Sequence, residues 1–398
     1  MSEWKEVPLE ALLNSTISYG IVQPGQAQAS GVPIVRVKDV RNGSVDVGEP
    51  LRVSPEIESK YVRTRLQGGE LLLTLVGSTG QVAVAPPELA GWNVARAIGV
   101  LRPKSDVSPR WLRYYLESEG AQRYMRDRLN TTVQATLNLK DLRILPVPLP
   151  PRVERDAVVG VIGALDDKIA VNERIAATAV DLADTEFLRV ASGLVLSEET
   201  FGSVAGVAGG GTPSTKVDEY WGGDICWTTP SDVTALASPY LFETSRNITE
   251  LGLDNCASQL YSAQSIFMTS RATIGAFALP QVPAAVNQGF IVVLPPSEEM
   301  RWWLLHEMRS RVDEMISLAN GSTFLELSRK NFKAMQIRLP HATEMAVFAQ
   351  KAAALHAAAA HAAQENRALA SLRDTLLPQL MSGRLRVKDA EKIVEDAT

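Results

Sequence analysis

Residue patterns that usually mark catalysis or metal binding are weak in this sequence. The glycine-rich run 209–216 (GGGTPSTK) lacks the GxxxxGK[ST] order of a nucleotide-binding loop, and Pro213 removes one backbone N–H donor. Asp46 and Glu58-Ser59-Lys60 match the D…ExK pattern of nucleases only loosely. No metal-ligand spacing links the four histidines, which are His306, His341, His356 and His361. We therefore expect a chain with no catalytic residue and no bound metal.

Two turns rich in serine, threonine and glycine carry side chains that could contact DNA. Ser78, Thr79 and Gln81 lie in the first turn, and Arg271 and Thr273 lie in the second. Glycine and small hydroxyl residues let the backbone approach a duplex closely. Arginine and glutamine can form paired hydrogen bonds with the edges of guanine and adenine, respectively. The alternative interpretation of each turn is an ordinary β-hairpin tip with polar residues.

Three further groups of polar residues are candidates for the same kind of contact. The first group alternates with valines in a strand-like run, so its two members should face one side. The second lies in the corresponding part of the second half of the chain, and the third projects from the glycine-rich run. In order, these groups are Arg36 and Lys38, Thr228 and Ser231, and Thr212, Ser214 and Lys216. Surface solvation, or a purely structural turn in the third group, is the alternative.

The elements that would position these residues occur twice, at a period of about 190 residues. Each copy contains two strand-like runs around a turn, a strand-like run that ends at proline, an aromatic helical stretch and a final Leu-Pro. The matching segments are 69–84 with 264–279, 94–103 with 286–296, 110–125 with 301–316, and 130–150 with 320–340. This repeat predicts two similar domains of mixed α/β structure, each with a sheet of several strands.

A long helical pattern follows each copy, after Pro150 and after Pro340. Apolar residues recur at spacings of three and four, which predicts two helices of roughly 57 Å each at 1.5 Å per residue. A lone helix would leave such an apolar stripe exposed to water, so we expect the two helices to pair antiparallel. The first seam includes Leu182 and also Asn172, for which a register-fixing or solvated role is expected. Two domains held apart in this way would suit a reader of a bipartite DNA site.

Composition limits the class of protein. The chain has 398 residues, of which 45% are hydrophobic and 21% charged, a balance typical of globular domains. Two cysteines, Cys226 and Cys256, indicate a reducing compartment and exclude a disulfide scaffold. The net charge is −5; residues 1–150 carry +3 and residues 191–340 carry −5. An acidic second half means that any DNA contact there must come from a local patch.

Three long segments carry a resemblance to a known family. Residues 209–233 (GGGTPSTKVDEYWGGDICWTTPSDV) resemble the opening of a target-recognition domain in type I specificity subunits. Residues 149–175 resemble the central spacer helix of that family, and residues 372–387 resemble its distal end. In the first half, 33–45 (PIVRVKDVRNGSV) fits the pattern, whereas 17–25 (ISYGIVQPG) replaces the glycine-rich turn. The chain thus resembles the specificity subunit of a type I restriction–modification system.

The resemblance implies an α+β architecture with two pseudo-repeated target-recognition domains and two long antiparallel coiled-coil spacer helices. On this interpretation, the first recognition domain covers 1–150 and the central spacer helix 151–190. The second recognition domain covers 191–340, and the distal helix and tail cover 341–398.

The resemblance also implies function and partners. Each domain would read one half of an asymmetric, split DNA target, and the chain itself would be non-catalytic and cytoplasmic, with no cofactor of its own. Two methyltransferase subunits would bring S-adenosylmethionine to modify adenine, and motor-nuclease subunits that use ATP and Mg²⁺ could join them. A self-contained enzyme and a scaffold that only dimerises through its helices are the alternatives.

Overall fold

The computed structural model describes residues 4–41, 43–130, 135–321 and 325–397. The chain divides into unit 1, Met1–Asp167 with Leu369–Thr398, and unit 2, Lys168–Ala368. Each unit contains one domain of mixed helix and sheet together with parts of two long helices. The first long helix is Arg152–Ala191 and the second long helix is Ala342–Met381. The predicted fold class of two similar mixed domains and two long helices is confirmed.

Unit 1 is built on a four-stranded antiparallel sheet, with strands in the order Ser18–Tyr19, Ile98–Leu101, Leu71–Thr74 and Val82–Val84. Beside it is a three-stranded sheet in the order Leu51–Val53, Val32–Val35 and Asn93–Val94, whose last pair is parallel. Three two-stranded sheets pair Lys5–Pro8 with Pro146–Leu149, Val40–Arg41 with Ser44–Val45, and Leu129–Asn130 with Thr136–Leu137.

Serine caps the start of three α-helices of unit 1, at Ser54, Ser108 and Ser118. Ser108 accepts a hydrogen bond from the N–H of Trp111, and Pro109 occupies the first helical turn, where no N–H is needed. The α-helices are Pro55–Glu58, Pro109–Glu117, Glu119–Arg126, Leu139–Arg143 and Val387–Ala397. The 3₁₀ helices are Leu9–Leu12, Val37–Asp39, Ser59–Thr64 and Pro87–Leu89.

Unit 2 repeats this plan with longer strands. Its five-stranded sheet has the order Gly206–Ala208, Phe290–Leu294, Ile266–Arg271, Thr273–Pro280 and Tyr240–Leu241. The three-stranded sheet has the order Asn247–Ile248, Trp221–Thr228 and Ala284–Val286, and again the last pair is parallel. Leu196–Thr200 pairs with Gln336–Arg338. The helices are Phe201–Val204, Asp218–Tyr220 (3₁₀), Pro230–Thr234, Glu250–Asp254, Glu298–Arg309, Val312–Ser317 and Arg329–Ala334.

The same hydrogen bond fixes the central hairpin in both units. The hydroxyl of Thr74 accepts from the backbone N–H of Gln81 at 2.9 Å, and the hydroxyl of Thr269 accepts from that of Ala276 at 3.0 Å. Both bonds span seven residues, and the two threonines are 195 positions apart. Two equivalent positions in each loop also have positive φ: Gly77 and Gly80 in unit 1, and Ala272 and Gly275 in unit 2. The internal repeat is therefore one of backbone geometry as well as sequence.

The long helices run antiparallel within each unit. In unit 2, Asn172 Nδ2 donates to Glu365 Oε2 at 2.8 Å, and Lys351 Nζ lies 2.9 Å from Glu186 Oε2. In unit 1, Arg373 Nη1 lies 3.2 Å from Asp166 Oδ1. Asn172 is thus a buried hydrogen-bonding residue that fixes the helix register.

The predicted seam position of Leu182 is wrong, because its side chain is 47% exposed. The neighbouring Val180 and Ala183 are buried instead, which shifts the seam around the helix. Within the described residues, no helix is both long enough and apolar enough to cross a membrane.

Candidate nucleic-acid interface

In unit 1, a short turn at residues 95–97 gathers most of the predicted contact segments. It follows the strand Asn93–Val94 and precedes the strand Ile98–Leu101. Three backbone hydrogen bonds hold it: Ala95 N donates to Val35 O (2.9 Å), Arg96 N to Ile21 O (2.9 Å), and Leu75 N to Ala97 O (2.7 Å). Three segments therefore meet at one edge of the domain: the end of the strand Val32–Val35, the segment around Ile21 and the central hairpin.

Unit 2 has the same edge, formed around residues 287–289. Three backbone hydrogen bonds hold this turn and the strand end before it: Asn287 N donates to Thr228 O (3.0 Å), Gly211 N to Val286 O (3.1 Å), and Ser270 N to Gly289 O (2.8 Å). The glycine-rich run, the strand end and the hairpin are thus neighbours here as well. We call this edge, in each unit, the turn edge.

Arg36 and Lys38 do not alternate along a strand, contrary to the expectation from sequence. The strand ends at Val35, and Val37–Asp39 form a 3₁₀ turn. The carboxylate of Asp39 closes this turn by accepting from the backbone N–H of Arg36 at 2.8 Å, and it pairs with the guanidinium at 3.1 Å. Lys38, in the middle of the turn, is exposed, whereas the guanidinium of Arg36 is paired with Asp39.

Unit 2 repeats this turn with different residues. Thr229 N donates to the Asp232 carboxylate at 2.8 Å, as Arg36 N does to Asp39. Burial alone would raise the pKa of Asp232, but hydrogen bonds from Thr229 and Ser245 hold it below its usual value. Ser231 is the exposed equivalent of Lys38.

Thr228, in contrast, is fully buried and stands where unit 1 has Val35. Its hydroxyl has no hydrogen-bond partner among the described residues and does not reach the surface. The prediction that Thr228 contacts DNA is therefore wrong, because its side chain is not accessible.

The predicted hairpin residues lie at the turn edge and are accessible to different degrees. Ser78 and Gln81 are exposed and Thr79 is half-buried in unit 1, while Arg271 and Thr273 are exposed in unit 2. The Arg271 guanidinium is paired with Glu326 at 2.8 Å, and both side chains are more than 40% exposed. Exposed ion pairs of this kind contribute about 0–1 kcal/mol, so Arg271 can exchange Glu326 for another partner at little cost.

The glycine-rich run packs its backbone tightly against the turn edge. A Cβ on Gly210 would lie 1.9 Å from the carbonyl oxygen of Val286, so only glycine fits there. A Cβ on Gly20 would lie at the same 1.9 Å from the carbonyl oxygen of Val94. The two halves therefore share this close approach, although the sequence of 17–25 differs from that of the glycine-rich run.

The polar residues of the glycine-rich run face outward. Thr212, Ser214 and Lys216 are exposed. Thr212 donates its hydroxyl to Gln288 Oε1 at 2.7 Å, and the Ser214 carbonyl accepts from Trp221 Nε1 at 3.2 Å. These contacts fix the course of the run while leaving the ammonium of Lys216 unpaired among the described residues.

Sequence reasoning missed two residues at the centre of this edge. Arg96 and Gln288 are the middle residues of the two turns, and both are exposed. The sequence pattern predicts one continuous strand in each of the segments 94–103 and 286–296, which leaves no place for a turn residue. In the structure, each segment contains a turn between two strands. The signal available in sequence was a polar residue interrupting an apolar run at the same place in both copies.

The chemistry of the turn edges is that of hydrogen-bond donation to a ligand surface. Exposed cationic or amide side chains occur in both units, and the histidines His306 and His356 are buried in the core of unit 2 instead. Among the described residues, no three His, Cys, Asp or Glu side chains are grouped so that they could hold a metal ion.

Comparisons with known proteins identify the family. Residues 1–179 and 198–355 match the model of a family described as type I restriction modification DNA specificity domain. Over 140 residues the chain is 37% identical to the type I restriction enzyme MjaIX specificity subunit of Methanocaldococcus jannaschii, covering 35% of this chain and 32% of that protein. Over 160 residues it is 31% identical to the type I restriction enzyme EcoBI specificity subunit of Escherichia coli, covering 39% and 34%.

The matched regions thus span about a third of the length of these two relatives. The crystal structure of a type I restriction-modification system S subunit from M. genitalium is similar in fold, with a TM-score of 0.56 and 14% identity over 95% of this chain and 96% of that one. Because the family model covers most of the sequence in two copies, the chain belongs to the type I restriction modification DNA specificity domain family.

Proposed function

We propose that this chain is the non-catalytic DNA-recognition subunit of a type I restriction–modification system, in which each unit reads one half of a split, asymmetric target. The observation that carries the proposal is the turn edge, in which two backbone hydrogen bonds of the turn and the threonine hydrogen bond of the hairpin recur in both units, while the exposed side chains differ. A shared framework with different exposed residues is what two readers of unlike half-sites need.

The side chains that contact DNA in this proposal are those predicted from the sequence that are exposed near the turn edges, together with the half-buried Arg36 and Thr79. In unit 1 they are Arg36, Lys38, Ser78, Thr79 and Gln81; in unit 2 they are Thr212, Ser214, Lys216, Ser231, Arg271 and Thr273. Lysine and the hydroxyl groups other than that of Thr212, which donates to Gln288, would mainly position the phosphate backbone, while arginine and glutamine would read base edges.

The test is a methylation map of the genome. Cells carrying the gene should show N6-methyladenine in one bipartite motif, and deletion of the gene should remove that motif. Replacing residues 196–340 with the same region of a family member of known target should change one half-site and keep the other. A replacement that changed both half-sites would contradict the assignment of one reader to each unit.

The partners in this proposal are two adenine methyltransferase subunits, with S-adenosylmethionine bound to them, and motor-nuclease subunits that use ATP and Mg²⁺, all in the cytoplasm. An exposed apolar strip on the first long helix supports a docking surface for a methyltransferase subunit. Val171, Ile175 and Leu182 are 45–47% exposed, and they lie on one helix face at spacings of four and seven residues.

This docking surface can be tested by co-purification. Ile175→Lys should reduce capture of the co-expressed methyltransferase subunit, because it buries a charge at an apolar contact. Arg189→Glu, an exposed change elsewhere on the same helix, is the control and should not reduce capture. Equal capture by both variants would place the docking surface elsewhere.

A further inference from the structure

We infer that Arg96 and Gln288 are specificity-determining residues, one for each half-site, and that Thr212 is the positioning residue for Gln288. The inference rests on the proposed function and adds to it two residues that occupy one structural position in the two units.

The first support is the equivalence of the two positions. Each residue follows a strand that pairs in parallel with a neighbouring strand end, Val35 in unit 1 and Thr228 in unit 2. Each is followed, one residue later, by a carbonyl that accepts from the hairpin, at 2.7 Å in unit 1 and 2.8 Å in unit 2. The backbone around a residue in this place is therefore bonded to the candidate contact segments of its own unit.

The second support is that the backbone is fixed while the side chain is free. The amide groups around Arg96 are bonded to two separate segments of unit 1, and its guanidinium has no hydrogen-bond or ion-pair partner among the described residues. Because the backbone is already fixed, binding has to order only the rotamers of the side chain and not the turn that carries it, which favours specific recognition.

The third support is the contact that orients Gln288. Thr212 donates to Gln288 Oε1 at 2.7 Å, which leaves the amide N–H groups of Gln288 without a partner among the described residues. Both Arg96 and Gln288 would then present donors. A donor selects a base with a major-groove acceptor, and guanine offers two, O6 and N7, to the fork of an arginine.

The experiment is a methylation map of cells that carry the gene with its natural neighbours, comparing single variants. Arg96→Lys keeps the positive charge but removes the two parallel donors, and Gln288→Glu keeps the shape but replaces donors by acceptors. Each should reduce discrimination at one base position by about tenfold or more, in opposite half-sites. Thr212→Val should weaken selection at the same base as Gln288→Glu, and Thr212→Ser should restore it.

Two controls separate this inference from folding defects. Arg152→Ala and Gln336→Ala remove exposed residues outside the turn edges, and both should leave the whole motif unchanged. The thermal unfolding midpoint of each purified variant should equal that of the wild type, which would show that the fold is intact.

The outcomes are distinguishable from those that test the proposed function. If deletion of the gene leaves the genomic methylation unchanged, the proposed function fails. If deletion removes a bipartite motif but Arg96→Lys and Gln288→Glu leave both half-sites intact, or affect the same half-site, the inference is overturned. Uniform loss of methylation at all sites by Arg96→Ala, with the full motif retained by Arg96→Lys, would also overturn it, because that pattern indicates a phosphate contact.

Discussion

Arg271 lies at the tip of the hairpin in unit 2, with its guanidinium held by Glu326. We predict that Arg271→Ala relaxes one base position in one half-site only, by about 1–3 kcal/mol of discrimination, because a bidentate guanine contact is lost. Methylation mapping measures this directly. Glu326→Gln, which frees the guanidinium without removing it, is the control and should keep the motif. Equal weakening of specific and random DNA by Arg271→Ala would assign this side chain to the phosphates.

Two buried histidines of unit 2 form a chain of hydrogen bonds with Asp184 and Tyr240. His306 Nδ1 lies 2.6 Å from Asp184 Oδ1, His306 Nε2 lies 3.0 Å from His356 Nε2, and His356 Nδ1 lies 2.8 Å from the hydroxyl of Tyr240. Burial lowers the pKa of His356 to about 3, with His306, Arg309 and Arg301 nearby adding to the effect. Burial also lowers the pKa of His306, although hydrogen bonding to Asp184 opposes it.

We therefore predict that the protein loses stability as the pH falls from about 6.5 towards 3. In this range these histidines are protonated in the unfolded chain but stay neutral in the folded chain. Each of them therefore lowers the free energy of unfolding by up to about 1.4 kcal/mol for each pH unit of decrease. Urea unfolding at pH 7 and pH 5 measures the slope. His356→Gln should flatten it, whereas His361→Gln, an exposed change on the same helix, should not. Identical slopes for both variants would contradict the assignment.

At the scale of elements, the repeat was readable because it rests on residue types that local geometry demands. The hairpin threonines and the paired glycines at positions 80 and 275 recur at a fixed offset, and both long helices were apparent from apolar spacing. The 3₁₀ turn at Val37–Asp39 could not be predicted from the sequence, because Val-Arg-Val-Lys alternates as a strand does. Only the Asp39 carboxylate, which accepts a hydrogen bond from the backbone, ends the strand. Burial of Thr228 likewise depends on its neighbours in space rather than on its own sequence.

The long helices cross the boundary between the units, at Asp167–Lys168 in the first and Ala368–Leu369 in the second. Because Ala176 is buried in the seam, an insertion there would disturb packing, and an insertion in one helix alone would break the Asn172–Glu365 register. We predict that seven residues inserted at the boundary in both helices, about 10.5 Å, lengthen the spacer of the target by about three base pairs. Methylation mapping should show unchanged half-sites. An unchanged spacer would refute the model of the helices as a ruler.

At the scale of the whole molecule, the chain should neither methylate nor cut DNA by itself. The sequence carries no nucleotide-binding loop, and the residues proposed to contact DNA at the turn edges are expected to act as hydrogen-bond donors. Purified chain incubated with DNA, S-adenosylmethionine, ATP and Mg²⁺ should show no product above a blank. Methylation or cleavage that follows the chain through successive purification steps would contradict this prediction.

The bonding of the turn at residues 95–97 has a consequence for how new target sequences arise. Backbone hydrogen bonds to three other segments hold this turn, so the stability of the fold does not depend on the side chain at position 96. Exposed substitutions of this kind usually change stability by no more than about 0.5 kcal/mol. Many side chains can therefore replace Arg96 without compensating mutations elsewhere. On the proposed role of this residue, a single codon change would then be enough to alter the target. If position 96 reads the target, we expect family members to differ at this position more than at the residues that bond around it, and an alignment of relatives with known targets would measure this.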